Sequence, residues 1–336
     1  MDRFRLGLNT YCLRAMRWHD QKLLEYTAGL KLDACFLQDS IDPGTNDPTH
    51  WKEVKDNAAR LGLHLETGTG GSLPATADRF QASVTLLRNA IKRATGMGSP
   101  IVRTLVASDR QHLPPGPAEK HIETMVRLLR TLRSEAMDAG VKFAIENHKD
   151  LFCWQTRQII EGAGKEFVGS YLDTGNPVFV MEDPLQTVET LGPLAVTLHL
   201  RDSVVYETRT GIAVQWVPLG EGVVDFRKIV AVAKELCPSV YVYIKPITGR
   251  PPQNLPLLES EFWKMWPDAR GSDVARFLAL AKRGHPYEKE MVIEDVAGRP
   301  EVEVYSAALA YQQRDHMDRS VEYGKKSLDL GVKWRA

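Results

Sequence analysis

The sequence predicts an α/β protein: a (β/α)8 TIM barrel with a C-terminal helical extension. Three observations lead there. Eight short aliphatic and β-branched runs alternate with longer amphipathic segments, the pattern of repeated βα units, and several runs are almost wholly apolar, as strands covered on both faces must be. Polar and charged residues close these runs along the whole chain: Glu66, Arg103, Glu146, Asp173, His199 and Lys245. A closed barrel gathers such ends at one mouth, whereas an open doubly wound sheet spreads them along an edge. No GxGxxG follows the first run, so the usual sign of the open alternative is missing.

Strands are expected at 5–11, 34–38, 63–67, 100–106, 141–147, 168–173, 195–201 and 240–245. Helices are expected at 21–30, 49–61, 78–95, 118–139, 156–162, 184–191 and 226–236. In the first helix Leu23, Leu24, Tyr26, Thr27 and Leu30 share roughly one face. Gly62, Gly140 and Gly164 stand where a helix must stop before the next strand. Asp225, which follows a glycine-rich turn, reads as the N-cap of the last of these helices.

Beyond Thr248 the pattern changes. Residues 249–257 (GRPPQNLPL) are proline-rich, and helical stretches are expected around 260–283 and 301–328. The chain therefore divides into a barrel, 1–250, and an extension, 251–336, that packs on the barrel or on a partner subunit.

Apolar residues make up 43% of the 336 and charged residues 26%, enough to bury a substantial core without staples. Formal net charge is zero, which gives no support to a polyanion-binding role, so nucleic acid is not an expected partner. No apolar run approaches the roughly 20 residues that cross a bilayer. Cys12, Cys35, Cys153 and Cys237 are scattered with no CxxC pair, and no signal-peptide core is present. These features lead to the expectation of a cytoplasmic protein with reduced thiols.

Glu146 closes KFAIEN, Asp173 closes VGSYLD and His199 lies in VTLHLRD. Their spacings, 173 − 146 = 27 and 199 − 173 = 26, are each about one βα unit, which sets them side by side around a barrel mouth. Two carboxylates and an imidazole suit a divalent ion with positions left open for substrate oxygens. Each residue taken alone has a plainer role as a helix cap or ion-pair member.

The runs FAIENHKD, YLDTGNP, TLHLRDS and PLGEGVVDF resemble the sugar phosphate isomerase/epimerase group of the xylose-isomerase-like TIM barrels. The likeness covers roughly residues 4–250. It implies an enzyme holding a divalent metal (Mn foremost, with Mg, Co, Zn or Fe as alternatives) through Glu146, Asp173, His199 and a glutamate on the last strand. Here that position is Lys245, and a protonated ammonium cannot ligate a metal.

Such a metal would acidify the C–H beside a bound carbonyl, and a base would take the proton. The catalytic candidates are Glu146, His148 and Lys245. His148 gains weight as the base because the second glutamate is missing. Lys245 is a candidate general acid or anion anchor, with an ion pair to Glu146 or Asp173 as the plainer role. Arg103 and Arg201, with Arg250, favour a substrate bearing a carboxylate. Glu66 and Asn176 are candidates for substrate contacts, and Asn147 for orienting a ligand. Trp154, Tyr11 and Trp216 are candidate walls for a sugar face, and His285 for a lid.

The leading expectation is a sugar isomerase or epimerase. The alternatives are a lyase or decarboxylase acting on an oxo-sugar acid or 3-keto-glycoside, including C-glycoside elimination, and a partner subunit whose metal site has decayed. A nuclease would need further ligands on the early strands, where Glu66 stands alone. The expected partners are a small sugar or sugar acid, no membrane, and either further copies of the chain or a second kind of subunit.

Overall fold

A computed structural model describes residues 3–38, 47–289, 294–295 and 302–336. Eight parallel strands close into a barrel: β1 Leu6–Asn9, β2 Ala34–Gln38, β3 His64–Gly71, β4 Ile101–Leu105, β5 Lys142–Glu146, β6 Val168–Asp173, β7 Ala195–Leu200 and β10 Val242–Ile244. β1 pairs with both β2 and β10, so the sheet has no free edge. The expected (β/α)8 TIM barrel is what the chain forms.

The helices between the strands are α1 Asp20–Gly29, α2 Pro48–Arg60, α3 Phe80–Met97, α4 Ala118–Thr131, α5 Arg133–Asp138, α6 Cys153–Ala163, α7 Pro184–Leu191 and α8 Phe226–Leu236. Their starts carry local signals. Asp47 accepts a hydrogen bond from the Thr49 N–H ahead of Pro48, and Asp183 does the same for Leu185 ahead of Pro184. Asp225 caps α8 through the Lys228 N–H, as expected. The single helix expected over 118–139 is broken at Leu132, whose backbone leaves helical geometry.

No strand is expected from the sequence between 201 and 226. The structure has a hairpin there, β8 Asp202–Thr208 and β9 Gly211–Val217, joined by a third strand, β11 Gln253–Leu255. Asp202 fastens the loop that follows, accepting hydrogen bonds from the N–H groups of Gly220, Gly222 and Val224.

Past residue 255 come α9 Ser260–Trp263, α10 Gly271–Ala281 and α11 Glu303–Lys326. Pro267 and Gly271 divide the helix expected over 260–283. α11 lies against the 3-10 segment Thr10–Met16 and β10, the place of the eighth barrel helix. The tail beyond it crosses the bottom of the barrel. Gly331 N–H donates to Phe4 O at 2.9 Å, while Asp33 accepts from the N–H groups of Leu6, Val332 and Lys333 at 2.8–3.0 Å. No helix among the described residues is long and apolar enough to cross a membrane.

Inside the barrel, Ala34, Phe36, Ile101, Ala144, Tyr171 and Tyr243 form a layer below the mouth. At the β3–β4 seam, a Cβ on Gly68 would stand 2.4 Å from Arg103 Cβ and 2.7 Å from its carbonyl oxygen. That absence lets the two strands meet with Arg103 turned inward. Gly68→Ala is expected to destabilise the fold by about 1–3 kcal/mol through overpacking. A urea midpoint equal to wild type would show that the seam yields freely.

Candidate functional site

Strands β4 to β7 and β10 deliver five ionised side chains to the mouth. Arg103 and Glu146 sit on β4 and β5, Asp173 ends β6, and Arg201 and Lys245 follow β7 and β10. Lys245 N–H donates to Leu200 O at 2.9 Å, so strand-like pairing continues one residue past β10.

All five are buried and interlocked. Arg103 Nε donates to Glu146 Oε2 at 2.5 Å, and its Nη1 to Thr69 O at 2.7 Å. Lys245 Nζ donates to Glu146 Oε1 at 2.9 Å and lies 3.1 Å from Asp173 Oδ2. Arg201 Nη2 stands 3.2 Å from the same Asp173 oxygen, and its Nη1 donates to Asn176 Oδ1 at 3.0 Å.

Two asparagines tie the carboxylates in place. Asn176 Nδ2 donates to Glu146 Oε1 at 3.0 Å. Asn147 donates to Asp173 O and accepts from Asp173 N–H, fastening the end of β5 to that of β6. The N–H groups of Gly175 and Asn176 donate to Asp173 Oδ1. Gly175 also makes room for the arginine, since a Cβ there would be 2.5–2.7 Å from three Arg201 side-chain carbons.

Burial alone would raise the Glu146 pKa, but the adjacent Arg103 and Lys245 outweigh it and hold the carboxylate well below its usual range. Burial lowers Lys245, helped by the two arginines and opposed by Glu146 and Asp173. His148, half-buried beside them, is lowered to about 3 by burial and then by the Arg103 and Lys245 cations, against the pull of Glu146. Its imidazole is therefore neutral, and Nδ1 has no hydrogen-bond partner.

Above this cluster opens a cleft of about 1090 Å³. Arg103, Arg201 and Lys245 line it, with His148, Lys149 and Arg250. Its apolar surface comes from Tyr11, Leu105, Phe179, Trp216 and Ile247. Glu146 and Asp173 do not line it, because they lie beneath the cations. Among the described lining residues Asp109 is the only carboxylate, and it is paired with Lys149 at 3.0 Å.

Several expected site residues lie elsewhere. Glu66 is buried within the barrel 3.4 Å from His64 Nε2 and does not reach the cleft. Trp154 stacks on Phe152 beneath the Arg270 guanidinium, away from the mouth. Asn176 positions Glu146 and Arg201 without lining the cleft, and His285 is exposed and remote from it. Phe179 and Lys149 were missed. Trp216, a candidate wall, reaches the cleft from β9. The β-branched and aromatic runs on either side of Thr210-Gly211 were the signal that could have revealed this hairpin.

The divalent ion implied by the resemblance does not fit these side chains. His199 stacks between Tyr171 at 3.9 Å and Tyr243 at 4.7 Å, with Nε2 3.3 Å from Thr197 Oγ1. Its Nδ1 is unpartnered, but both carboxylates are already engaged, and the Lys245 ammonium bridges them where a metal would sit. No three His, Cys, Asp or Glu side chains among the described residues are grouped so as to hold a metal. A divalent ion here would face three buried cations, each unit-charge pair costing about 4 kcal/mol at 4 Å and an effective dielectric of 20.

Comparison with known proteins places this architecture. An uncharacterised protein of Escherichia coli K12, YihM, is 21% identical over 186 residues, 55% of this chain and about half (52%) of that protein. A 3-oxo-isoapionate decarboxylase of Pectobacterium atrosepticum is 22% identical over 236 residues, 66% of this chain and 78% of the enzyme. Among solved structures, a D-psicose 3-epimerase superposes with a TM-score of 0.59 at 16% identity, covering 83% of this chain and 99% of its own. A Mycobacterium smegmatis barrel in complex with magnesium gives 0.56 at 17% identity, over 72% of this chain and 89% of its own. The family model described as xylose isomerase-like TIM barrel matches residues 30–241, and the chain belongs to that family.

Proposed function

We propose that this chain is an isomerase or epimerase-type enzyme that takes a proton from the carbon beside a carbonyl in a keto-sugar or sugar derivative. The observation that carries this reading is a neutral, unpartnered His148 next to three cations in one cleft. The His148 imidazole removes the proton, the C–H electron pair moves into the C–C bond, and the carbonyl oxygen becomes an oxyanion. Lys245, Arg103 and Arg201 stabilise that oxygen, the preorganised electrostatics that such a step needs. Returning the proton to the opposite face gives an epimer, and returning it to the neighbouring carbon gives an isomer. Trp216, Phe179 and Tyr11 offer ring faces to the sugar. No step runs through a metal, because Lys245 holds the place between the carboxylates.

A second reading, decarboxylation of an oxo-sugar acid, is favoured by the surplus of cations over carboxylates in the cleft. There the C–C bond to the carboxylate breaks, CO2 leaves, and the electron pair forms the same oxyanion before a proton returns to carbon. The curated decarboxylase relative supports it.

Incubation with keto-sugars and oxo-sugar acids in D2O tests both. Deuterium entering recovered sugar without gas release supports isomerisation, whereas CO2 release selects the second reading. Absence of both across the panel would leave a subunit without its own catalysis.

A further inference from the structure

We infer that Lys245, with Arg103 and Arg201, serves as a built-in cation in place of a divalent metal, and that the cluster binds a carboxylate of an acidic, sugar-derived substrate. The inference rests on the reading of this mouth as the reactive site. Three features carry it.

The first is position. Lys245 Nζ lies 2.9 Å from Glu146 and 3.1 Å from Asp173, so one ammonium serves both carboxylates. The second is facing: the cations line the cleft, and the carboxylates lie below them with no exposed side-chain surface. A metal-binding mouth would turn its carboxylates toward the opening; this one turns its donors there. The third is charge. Three cations share two carboxylates, which leaves the buried cluster with a net charge of +1, costly until an anion completes it.

The geometry also selects the anion. Arg201 is 1% exposed, yet its Nε donates to no acceptor, and the side chain lines the cleft while Nη2 faces Asp173. A guanidinium with a spare Nε donor beside an ammonium matches the two oxygens of a carboxylate, one to each cation. The ring of Trp216 lies against the Arg201 guanidinium at 4.3 Å and fixes its plane. A neutral sugar would leave the surplus charge in place, so the preference is for sugar acids over the corresponding sugars.

The test needs no turnover. The purified full-length chain is analysed for bound metal, and its Tm is measured with MnCl2, with MgCl2, with EDTA, and with D-gluconate and D-glucuronate against uncharged D-glucitol and D-glucose. Expected are no stoichiometric metal, no Tm response to either ion or to the chelator, and a rise with the acids that the neutral partners do not give. Lys245→Met should weaken acid binding by at least about 30-fold, the loss seen when one member of a buried charge pair is truncated. Lys245→Glu should abolish it and gain stabilisation by Mn, since three carboxylates would then face one point.

Stoichiometric bound metal, a Tm rise with Mn in the unaltered protein, or equal response to acids and neutral sugars would each overturn the inference. The wild-type measurements decide this even if a variant does not fold. Failure of deuterium exchange or CO2 release would instead sink the proposed function and leave this binding preference standing.

Discussion

Glu146→Ala is expected to cost about 3–5 kcal/mol of folding stability, the range for breaking one side of a buried ion pair. Glu146 accepts from Arg103 on one oxygen and from Lys245 and Asn176 on the other, with no exposed side-chain surface. Alanine would leave Asp173 as the sole carboxylate among three buried cations. Glu146→Gln should cost less than Ala, because the amide oxygen still accepts from Lys245 and Asn176 while its NH2 meets Arg103 unfavourably. A fair control is Glu135, whose two hydrogen bonds to Arg88 are both 2.7 Å long but lie at the surface. Solvent screens that pair, so Glu135→Ala should shift the urea midpoint far less. Equal midpoints for Glu146→Ala and Glu135→Ala would show that the mouth cluster contributes nothing beyond a surface pair.

His148→Ala is expected to lower the rate of deuterium exchange by about 10²–10⁴-fold, the usual contribution of a positioned general base, with little loss of stability. The small structural cost follows from the free Nδ1, which holds no partner that the substitution would strand. The catalytic cost follows from the chemical state of the ring: burial and the nearby cations keep it unprotonated, able to accept a proton at neutral pH. The loss should fall on kcat, with KM nearly unchanged, because binding resides in the cations and aromatic faces. An alanine variant that exchanges deuterium at the wild-type rate would move the base elsewhere.

Much of the fold was legible because each βα unit announces itself locally. Strands 34–38 and 168–173 and helices 184–191 and 226–236 match the structure at both ends. Their limits are set by nearby residues: Asp183 and Asp225 start helices, and Asp173 ends a strand. The hairpin over 202–217 was missed because residues buried on both sides blur its alternation. The residues at the mouth were legible because they close successive strands. What they do to one another was not. Whether Lys245 reaches Glu146 depends on barrel closure across 99 positions of sequence separation, and local pattern carries no such information. Glu66 misled for a related reason: the strand register sets it facing inward but too deep, beside His64 and below the mouth.

The tail that crosses the base of the barrel bears on how the molecule assembles during synthesis. Asp33 accepts from the backbone of Leu6 on the first strand and of Val332 and Lys333 near the other end, while α11 fills the eighth helical position. A ribosome-bound intermediate ending before residue 303 would lack the helix that covers the seam between β10 and β1. Its first and last strands could still pair, but their outer face would stay uncovered, the kind of apolar surface that chaperones hold and that drives aggregation. The seam between β10 and β1 is thus expected to be the last part of the barrel to be covered, once α11 has been made.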